Sequence, residues 1–158
     1  MNTALIIALS TFCGLMIGMY FTRIGKDKER YYCSIVKLCS CLISNISFRA
    51  DKMLKILNEA EIDSPYLKKN VSEYMSYLKG GQLKLSANRL TTAELNQINE
   101  FFGRLGRSDG QTQLAELKKF EGEFAQKYVE IKEKNDKQGN MYAKLGLLSG
   151  LLIGILLV

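Results

Sequence analysis

The chain has 158 residues, enough for one domain with appendages, and a net charge of +6. Its 22 Lys and Arg residues and its 16 Asp and Glu residues all lie between Arg23 and Lys144, so that two uncharged, apolar ends flank a basic middle segment. The chain has no histidine, the commonest general base, and no phosphate-binding glycine loop, so we expect neither an enzyme nor a cofactor.

Without histidine, Cys33, Cys39 and Cys41 would need an Asp or Glu ligand to hold zinc. We interpret them as small apolar residues of a helix and expect no metal.

The first apolar run is ALIIALSTFCGLMIGMYF, residues 4–21, which contains no charge. A transmembrane helix needs roughly 17–25 such residues. No basic residue precedes the run, and bulky Phe12 stands before Cys13, where a lipoprotein signal would have a small residue. We therefore predict a retained transmembrane helix over residues 1–22.

Four helices are predicted in the middle segment, residues 23–140. Over residues 30–60, apolar side chains recur every three or four positions, which indicates one long amphipathic helix. Ser64 as the N-cap and Pro65 in the first turn open a second, shorter helix, which the glycines at 80–81 end.

The third helix is predicted to begin with a capping box of Thr91 and Glu94 and to end at Gly106. Residues 82–90, which precede it, are ambiguous between a loop and one loose turn. No useful stretch of the chain alternates with the period of two that is typical of strands.

The fourth helix is predicted over residues 109–138, opened by a second capping box of Ser108 and Gln111 and broken by Gly139 and Asn140. The first of the four helices leaves the membrane and the last returns to it, so the two must be antiparallel. The predicted fold class is all-α: a cytoplasmic antiparallel bundle of about four helices between two transmembrane helices.

The second transmembrane helix is predicted over residues 141–158. Such a helix is ~27 Å long, which nearly crosses the ~30 Å hydrocarbon layer, with Lys144 reaching the interface beside Tyr142. Lys and Arg residues follow the first span and precede the second. By the positive-inside rule, we predict that the middle segment is cytoplasmic and that both termini are outside.

Glycines recur every four residues in both spans. They are Gly14 and Gly18 in the first span and Gly146, Gly150 and Gly154 in the second. Glycine costs ~1 kcal/mol relative to alanine inside an exposed helix, but small residues allow two membrane helices to pack closely. The alternative is that glycine is simply frequent in transmembrane helices. We expect these five glycines to form a helix–helix contact row.

Four basic residues, Arg104, Arg107, Lys118 and Lys119, cluster around the turn between the third and fourth helices. A mild net charge spread over four helices does not indicate nucleic acid as a partner. A solvated surface accounts for the cluster, and the alternative is a docking patch for an acidic protein such as an ATPase.

Two stretches of the chain resemble the stage III sporulation protein AB family: FFGRLGRSDGQTQLAEL at 101–117 and NMYAKLGLLSGLLIGILLV at 140–158. The layout of an anchor, a helical domain and a terminal span is similar along the whole chain. The matching residues are Leu105, Gly106, Ser108, Asp109 and Gln113 in the first stretch and Met141, Tyr142, Leu145, Gly146 and Gly150 in the second.

The resemblance implies a role in the channel assembled between mother cell and forespore, in the mother-cell membrane around the forespore. Family members are similar to the inner-membrane platform protein of type II secretion and type IV pilus systems. They are thought to work beside a cytoplasmic secretion-type ATPase and other membrane proteins of the complex. We therefore expect a non-enzymatic scaffold that contacts membrane lipid and can form homo-oligomers. The residues expected to dock the ATPase are Arg104, Arg107, Asp109, Gln113, Lys118 and Lys119.

The rival function is a small pore-forming or holin-like two-span protein. Neither span has a polar stripe that would line water, because the hydroxyl residues within them are few: Ser10, Thr11 and Ser149. A signalling adaptor is a third class, which would be recognised if loss of the protein changed only gene expression and left assembly intact.

Overall fold

The structure is a computed structural model, and it describes residues 2–48, 53–86 and 89–156. Within these ranges the chain forms helices and loops and no strand, which confirms the predicted all-α fold class. The five helices are α1 (Asn2–Phe48), α2 (Met53–Glu59), α3 (Pro65–Leu78), α4 (Thr92–Arg104) and α5 (Gly110–Leu156).

The predicted signals at the ends of α3 and α4 are confirmed. Ser64 is the N-cap of α3, where its side chain accepts a hydrogen bond from the Leu67 backbone, and Pro65 is the first helical residue. Beyond the end of α3, Gly80 adopts a φ of 104°, a left-handed conformation that favours glycine. Thr91 and Glu94 form both hydrogen bonds of the predicted capping box.

The predicted break at Gly139 and Asn140 is wrong, because α5 continues through both residues. Glycine weakens a helix by only ~1 kcal/mol, too little to break one whose neighbouring turns are all formed. The predicted capping box of Ser108 and Gln111 is also wrong. The helix begins one residue later, with Asp109 as its N-cap: the Asp109 carboxylate accepts a hydrogen bond of 3.3 Å from the Thr112 backbone.

The long helix predicted over residues 30–60 is observed in two parts. Its first part belongs to α1, which is continuous from the first apolar run, and its second part is α2. Residues 49–52 between them lie outside the described residues, as do residues 87–88 in the ambiguous segment 82–90. The rest of that segment is not helical.

The helices form two compact units, one made of Met1–Asp27 with Val129–Val158 and the other of Lys28–Tyr128. We call them the span unit and the core unit. The two units are defined by which residues contact one another, whereas the domain boundaries expected after residues 22 and 140 are based on hydropathy. Those boundaries stay a prediction.

Aromatic side chains make up the centre of the core unit. The ring centroids of Tyr74 on α3 and Phe102 on α4 are 5.1 Å apart. Phe101 on α4 packs edge-to-face against Phe120 and Phe124 on α5, at centroid distances of 5.4 and 5.5 Å. Such edge-to-face pairs add about 0.5–1.5 kcal/mol each beyond the burial of apolar area. The core therefore joins α3, α4 and α5 through one continuous group of rings.

The C-terminal part of α1 completes this core. Tyr31 and Tyr32 are buried at 1% and 0% exposure, and the Tyr32 ring lies 6.3 Å from that of Phe124. The Tyr31 hydroxyl donates a 3.0 Å hydrogen bond to the Asn70 side chain of α3. Apolar spacing alone did not single out these two tyrosines, and the Asn70 partner of the Tyr31 hydroxyl is 39 residues away in the sequence.

Candidate functional sites in the span unit and at the α4–α5 turn

In the span unit, α1 and α5 run antiparallel and approach each other through glycine. A Cβ atom placed on Gly14 would lie 2.9 Å from the Gly150 Cα, and one placed on Gly146 would lie 3.2 Å from the Gly18 Cα. A Cβ on Gly154 would lie 3.0 Å from the Ile7 Cα. The structure therefore brings Gly14, Gly18, Gly146 and Gly150 together and places Gly154 against Ile7, at separations that leave little or no room for a side chain.

Gly150 is closely surrounded by backbone atoms of α1. A Cβ atom there would lie 2.6 Å from the Ser10 carbonyl oxygen and 2.9 Å from the Thr11 Cα. Both obstacles are backbone atoms of α1, which cannot rotate away as a flexible side chain could. A larger residue at this position would have to push the two helices apart.

The contact line continues beyond the glycines that were predicted. The Thr22 hydroxyl hydrogen-bonds to the Gly139 carbonyl oxygen at 3.3 Å, and the Asn135 side-chain amide donates to the Gly25 carbonyl oxygen at 2.9 Å. These contacts were not predicted, although the four-residue steps from Gly18 to Thr22 extend the same helix face. They place polar bonds at the end of the helix pair that carries the first charged residues.

Both α1 and α5 are long and apolar enough to cross a membrane. Their most apolar windows are only 11% and 12% buried within the chain, unlike the core helix of a soluble protein. Large side chains such as Phe12 and Leu148 are 65% and 61% exposed. In the span unit, small residues thus face the partner helix and bulky ones face outward.

In the core unit, the turn between α4 and α5 is held by the residues of the first sequence motif. Leu105 is 3% exposed, and its carbonyl oxygen accepts a 2.8 Å hydrogen bond from the Tyr74 hydroxyl, whose pKa burial raises to about 12. Gly106 has a φ of 77°, which favours glycine. The side-chain oxygen of Gln113 accepts a 2.8 Å hydrogen bond from the Gly106 backbone N–H and a 3.4 Å one from the Ser108 hydroxyl.

This arrangement gives the motif residues structural roles. Gln113 is only 4% exposed, and its side chain satisfies a backbone donor of the turn rather than pointing to solvent. The Asp109 side chain is occupied as the N-cap, and hydrogen bonds with the side chain and backbone of Thr112 hold the pKa of its carboxyl below the usual range. Both residues thus shape the turn that presents the neighbouring arginines.

Arg104 and Arg107 lie on the exposed side of this turn. The Arg104 guanidinium forms ion pairs with Glu100 at 2.8 Å and with Glu116 at 3.2 Å. The Arg107 guanidinium donates a 2.7 Å hydrogen bond to the Tyr77 hydroxyl. We call the surface formed by these five residues the turn surface; its arginines are oriented by their neighbours and remain exposed.

Lys118 and Lys119 are both exposed, but only Lys118 lies on the opposite side of α5 from the turn-surface residue Glu116. Lys118 follows Glu116 by two residues, which is ~200° around a helix. Lys119 lies 3.8 Å from Glu123 along α5. Helix geometry therefore separates Lys118 from the turn surface, whereas Lys119 lies on the same side of α5 as Glu116 and pairs with Glu123.

A polar network on α3 was not predicted. The Glu73 carboxylate accepts a 2.8 Å hydrogen bond from the Ser86 backbone and another from the Ser86 hydroxyl. Asn70, which is fully buried, donates to both Glu73 and the Ser86 carbonyl oxygen at 3.2 Å. The network fixes the segment that follows α3.

Within residues 2–48, 53–86 and 89–156, no group of three Cys, Asp or Glu residues could hold a metal ion.

A family model described as stage III sporulation protein AB matches residues 3–158, nearly the whole chain. This match confirms the resemblance that the two sequence stretches carry. No curated protein and no solved structure matches the chain.

Proposed function

The chain belongs to the stage III sporulation protein AB family, a family of sporulation proteins, and we propose that it is a non-enzymatic membrane scaffold in a secretion-like channel complex between mother cell and forespore. The observation that carries this proposal is the combination of two apolar helices packed through glycine with a compact core unit on the same chain. Such a protein holds a folded surface at a membrane without chemistry of its own.

The proposed location is the mother-cell membrane around the forespore, crossed by both helices, with the middle segment cytoplasmic and both termini outside. The basic residues nearest to the apolar runs support this orientation, because all of them lie between the two runs in the sequence. Labelling of single cysteines introduced at residues 3 and 68, with the native cysteines replaced by serine, by a membrane-impermeant reagent in intact non-sporulating cells that express the chain tests the orientation. Residue 3 should react and residue 68 should not.

The proposed partner is the cytoplasmic secretion-type ATPase, docked on the turn surface, with other membrane proteins of the complex packing against the spans. Arg104 and Arg107 suit this role because they are exposed, and arginines held by neighbouring groups lose less conformational freedom on binding than free side chains do. An acidic residue of the partner would compete with Glu100 and Glu116 for the Arg104 guanidinium.

Co-purification of the ATPase with the tagged full chain from sporulating cells tests this docking. We expect the Arg104→Glu, Arg107→Glu variant to lose the ATPase and the Lys68→Glu, Lys69→Glu variant to keep it. The control makes the same change in charge on two exposed lysines of α3. Equal retention by both variants would exclude the turn surface as the docking site.

A measurement of ion conduction distinguishes the scaffold proposal from the pore alternative. A scaffold should not conduct ions when the purified chain is placed in a planar bilayer. Reproducible single-channel currents from the chain alone would contradict the scaffold and support the pore.

A further inference from the structure

The span unit contains an open groove between α1 and α5, with a volume of about 740 Å³. It lies next to the polar end of the contact line, where Thr22 bonds to the Gly139 carbonyl oxygen. Its lining combines apolar, basic and acidic side chains. The lining residues are Met16, Met19, Tyr20, Thr22, Arg23, Lys26, Asn135, Asp136 and Gly139.

The α1 side of the groove changes from apolar to basic along the helix. Met16 and Tyr20 are 50% and 54% exposed, although they belong to the apolar run. Arg23 and Lys26 follow at steps of three residues, so that all four lie on one helix face. From residue 16 to residue 26 this face extends ~15 Å at 1.5 Å per residue.

The α5 side leaves space for a ligand. Gly139 contributes no side chain to the lining. The Asn135 amide is held by its hydrogen bond to the Gly25 carbonyl oxygen, so it stays at the wall rather than filling the opening. Asp136 places one carboxylate on this side.

The charges in the groove are complementary to a phosphate diester. Arg23 and Lys26 are both exposed, and within the described residues neither forms an ion pair. Two cations and the Asp136 carboxylate leave a net charge of about +1, which matches a ligand with one negative charge. A soluble phosphate compound would not cover the exposed Met16 and Tyr20 side chains, whereas a lipid with an acyl chain would.

We propose that this groove binds one anionic glycerophospholipid of the surrounding leaflet. Its phosphodiester lies at Arg23 and Lys26, a hydroxyl of its head group donates to Asp136, and one acyl chain lies along Met16 and Tyr20. This inference rests on the proposed membrane location of the span unit and does not depend on the ATPase. The lipid would add a specific bond between the helix pair and the cytoplasmic leaflet.

Native mass spectrometry of the full chain in mild detergent, titrated with phosphatidylglycerol or phosphatidylcholine, tests the proposal. We expect one phosphatidylglycerol to be retained, at least tenfold more tightly than phosphatidylcholine. The Arg23→Gln, Lys26→Gln variant should bind phosphatidylglycerol about tenfold or more weakly, since each cation near a lipid surface contributes roughly fivefold. Lys134→Gln, Lys144→Gln removes the same charge outside the groove and should change the affinity by less than threefold.

Equal binding of the two lipids, or an equal loss in the two variants, would overturn the proposal and show only general attraction to anionic surfaces. Displacement of the bound lipid by millimolar inorganic phosphate would likewise overturn it in favour of a soluble anion. If the lipid-free chain instead forms a stable dimer and Gly139→Leu abolishes that dimer, the groove binds a second copy of the chain. That result would also overturn the proposal.

A second variant protects the test against misfolding. Gly139→Leu places a side chain in the groove without changing the charge, and it should abolish retention of phosphatidylglycerol while the helical circular dichroism spectrum is unchanged. Failure of lipid binding and failure of the proposed function are distinguishable. The groove variants should still fractionate with membranes and co-purify with the ATPase, whereas the turn-surface variant should keep the lipid.

Discussion

The Nζ atom of Lys28 on α1 lies 2.7 Å from Oε2 of Glu94 on α4. Glu94 is also the third residue of α4 and forms the capping box with Thr91, from which it accepts hydrogen bonds of the backbone and the hydroxyl. The carboxylate of this one residue, which is 8% exposed as a whole, therefore both caps α4 and binds α4 to α1. In the sequence Lys28 is only one of the basic residues that follow the first span, whereas the structure makes it part of the core unit.

Replacing Lys28 with Met should destabilise the core unit by about 2 kcal/mol, because it leaves a largely buried carboxylate without its cationic partner. The measurement is the free energy of unfolding of the full chain in detergent, by denaturant titration followed by near-ultraviolet circular dichroism. Lys37→Met is the matched control. It removes an ion pair with Asp63 of 2.9 Å whose side chains are 59% and 63% exposed, and we expect no measurable change. An equal effect of both substitutions would contradict the structural role of Lys28.

The stability of the core unit should depend on pH through Glu94. Burial would raise the pKa of its carboxyl, but hydrogen bonds from Lys28 and Thr91 outweigh that effect and lower the pKa below its usual value. An unfolded chain has Glu pKa values of about 4.3, so the stabilisation is complete above that pH and is lost as the pH falls through the lower folded-state pKa.

Denaturant titrations between pH 7 and pH 3 check this dependence. In Glu94→Gln, the stability at pH 7 should be lower and its decrease between pH 5 and pH 3 should be smaller than in the native chain. If the two pH profiles run parallel, Glu94 does not contribute to the acid sensitivity.

Gly150→Leu should disrupt the packing of α1 against α5 without preventing membrane insertion, because even a Cβ atom there meets backbone atoms of α1. Disulfide formation between Thr22→Cys and Gly139→Cys, in a background with the native cysteines replaced by serine, reports the packing. A Cβ at residue 139 would lie 3.6 Å from the Thr22 Cγ2 atom, close enough for a bridge. We expect Gly150→Leu to reduce the yield of the intramolecular bridge by more than half.

Gly122→Leu is the control for this experiment, since a Cβ at Gly122 has no neighbouring atom within 4 Å. It changes the same residue type in the same helix and should leave the yield of the bridge unaltered. An undiminished yield in Gly150→Leu would show that the glycines do not determine the contact between the helices.

Gln113→Leu should destabilise the core unit by about 2 kcal/mol, because the Gly106 N–H would lose its acceptor inside the turn. Gln111→Leu should cost less than about 0.5 kcal/mol, since Gln111 is exposed and the capping box expected from the sequence is not formed. Gln113→Glu, which keeps an acceptor oxygen, should recover part of the lost stability. A larger effect at Gln111 than at Gln113 would favour the capping box and contradict the observed turn.

The helical fold, the two apolar helices and several helix ends could be predicted from the sequence because their causes are local. Thr91 and Glu94 are three residues apart, and Ser64 acts on the next turn of its own helix. The glycine spacing also indicated which face of each span is small. Ser108 shows the limit of such reasoning, because α5 starts one residue later than expected. Asp109 is therefore the N-cap, and the Ser108 hydroxyl donates to Gln113 instead.

By itself, the sequence determined the all-α class, the family and the position of the apolar runs, since periodicity, capping residues and hydropathy act between near neighbours. Only the tertiary structure decided that Lys28 binds Glu94 and that Asn135 binds Gly25. It also decided that α5 stays helical through Gly139 and Asn140. Contacts between distant residues depend on how helices pack, and the cost of one glycine is small beside the packing that surrounds it.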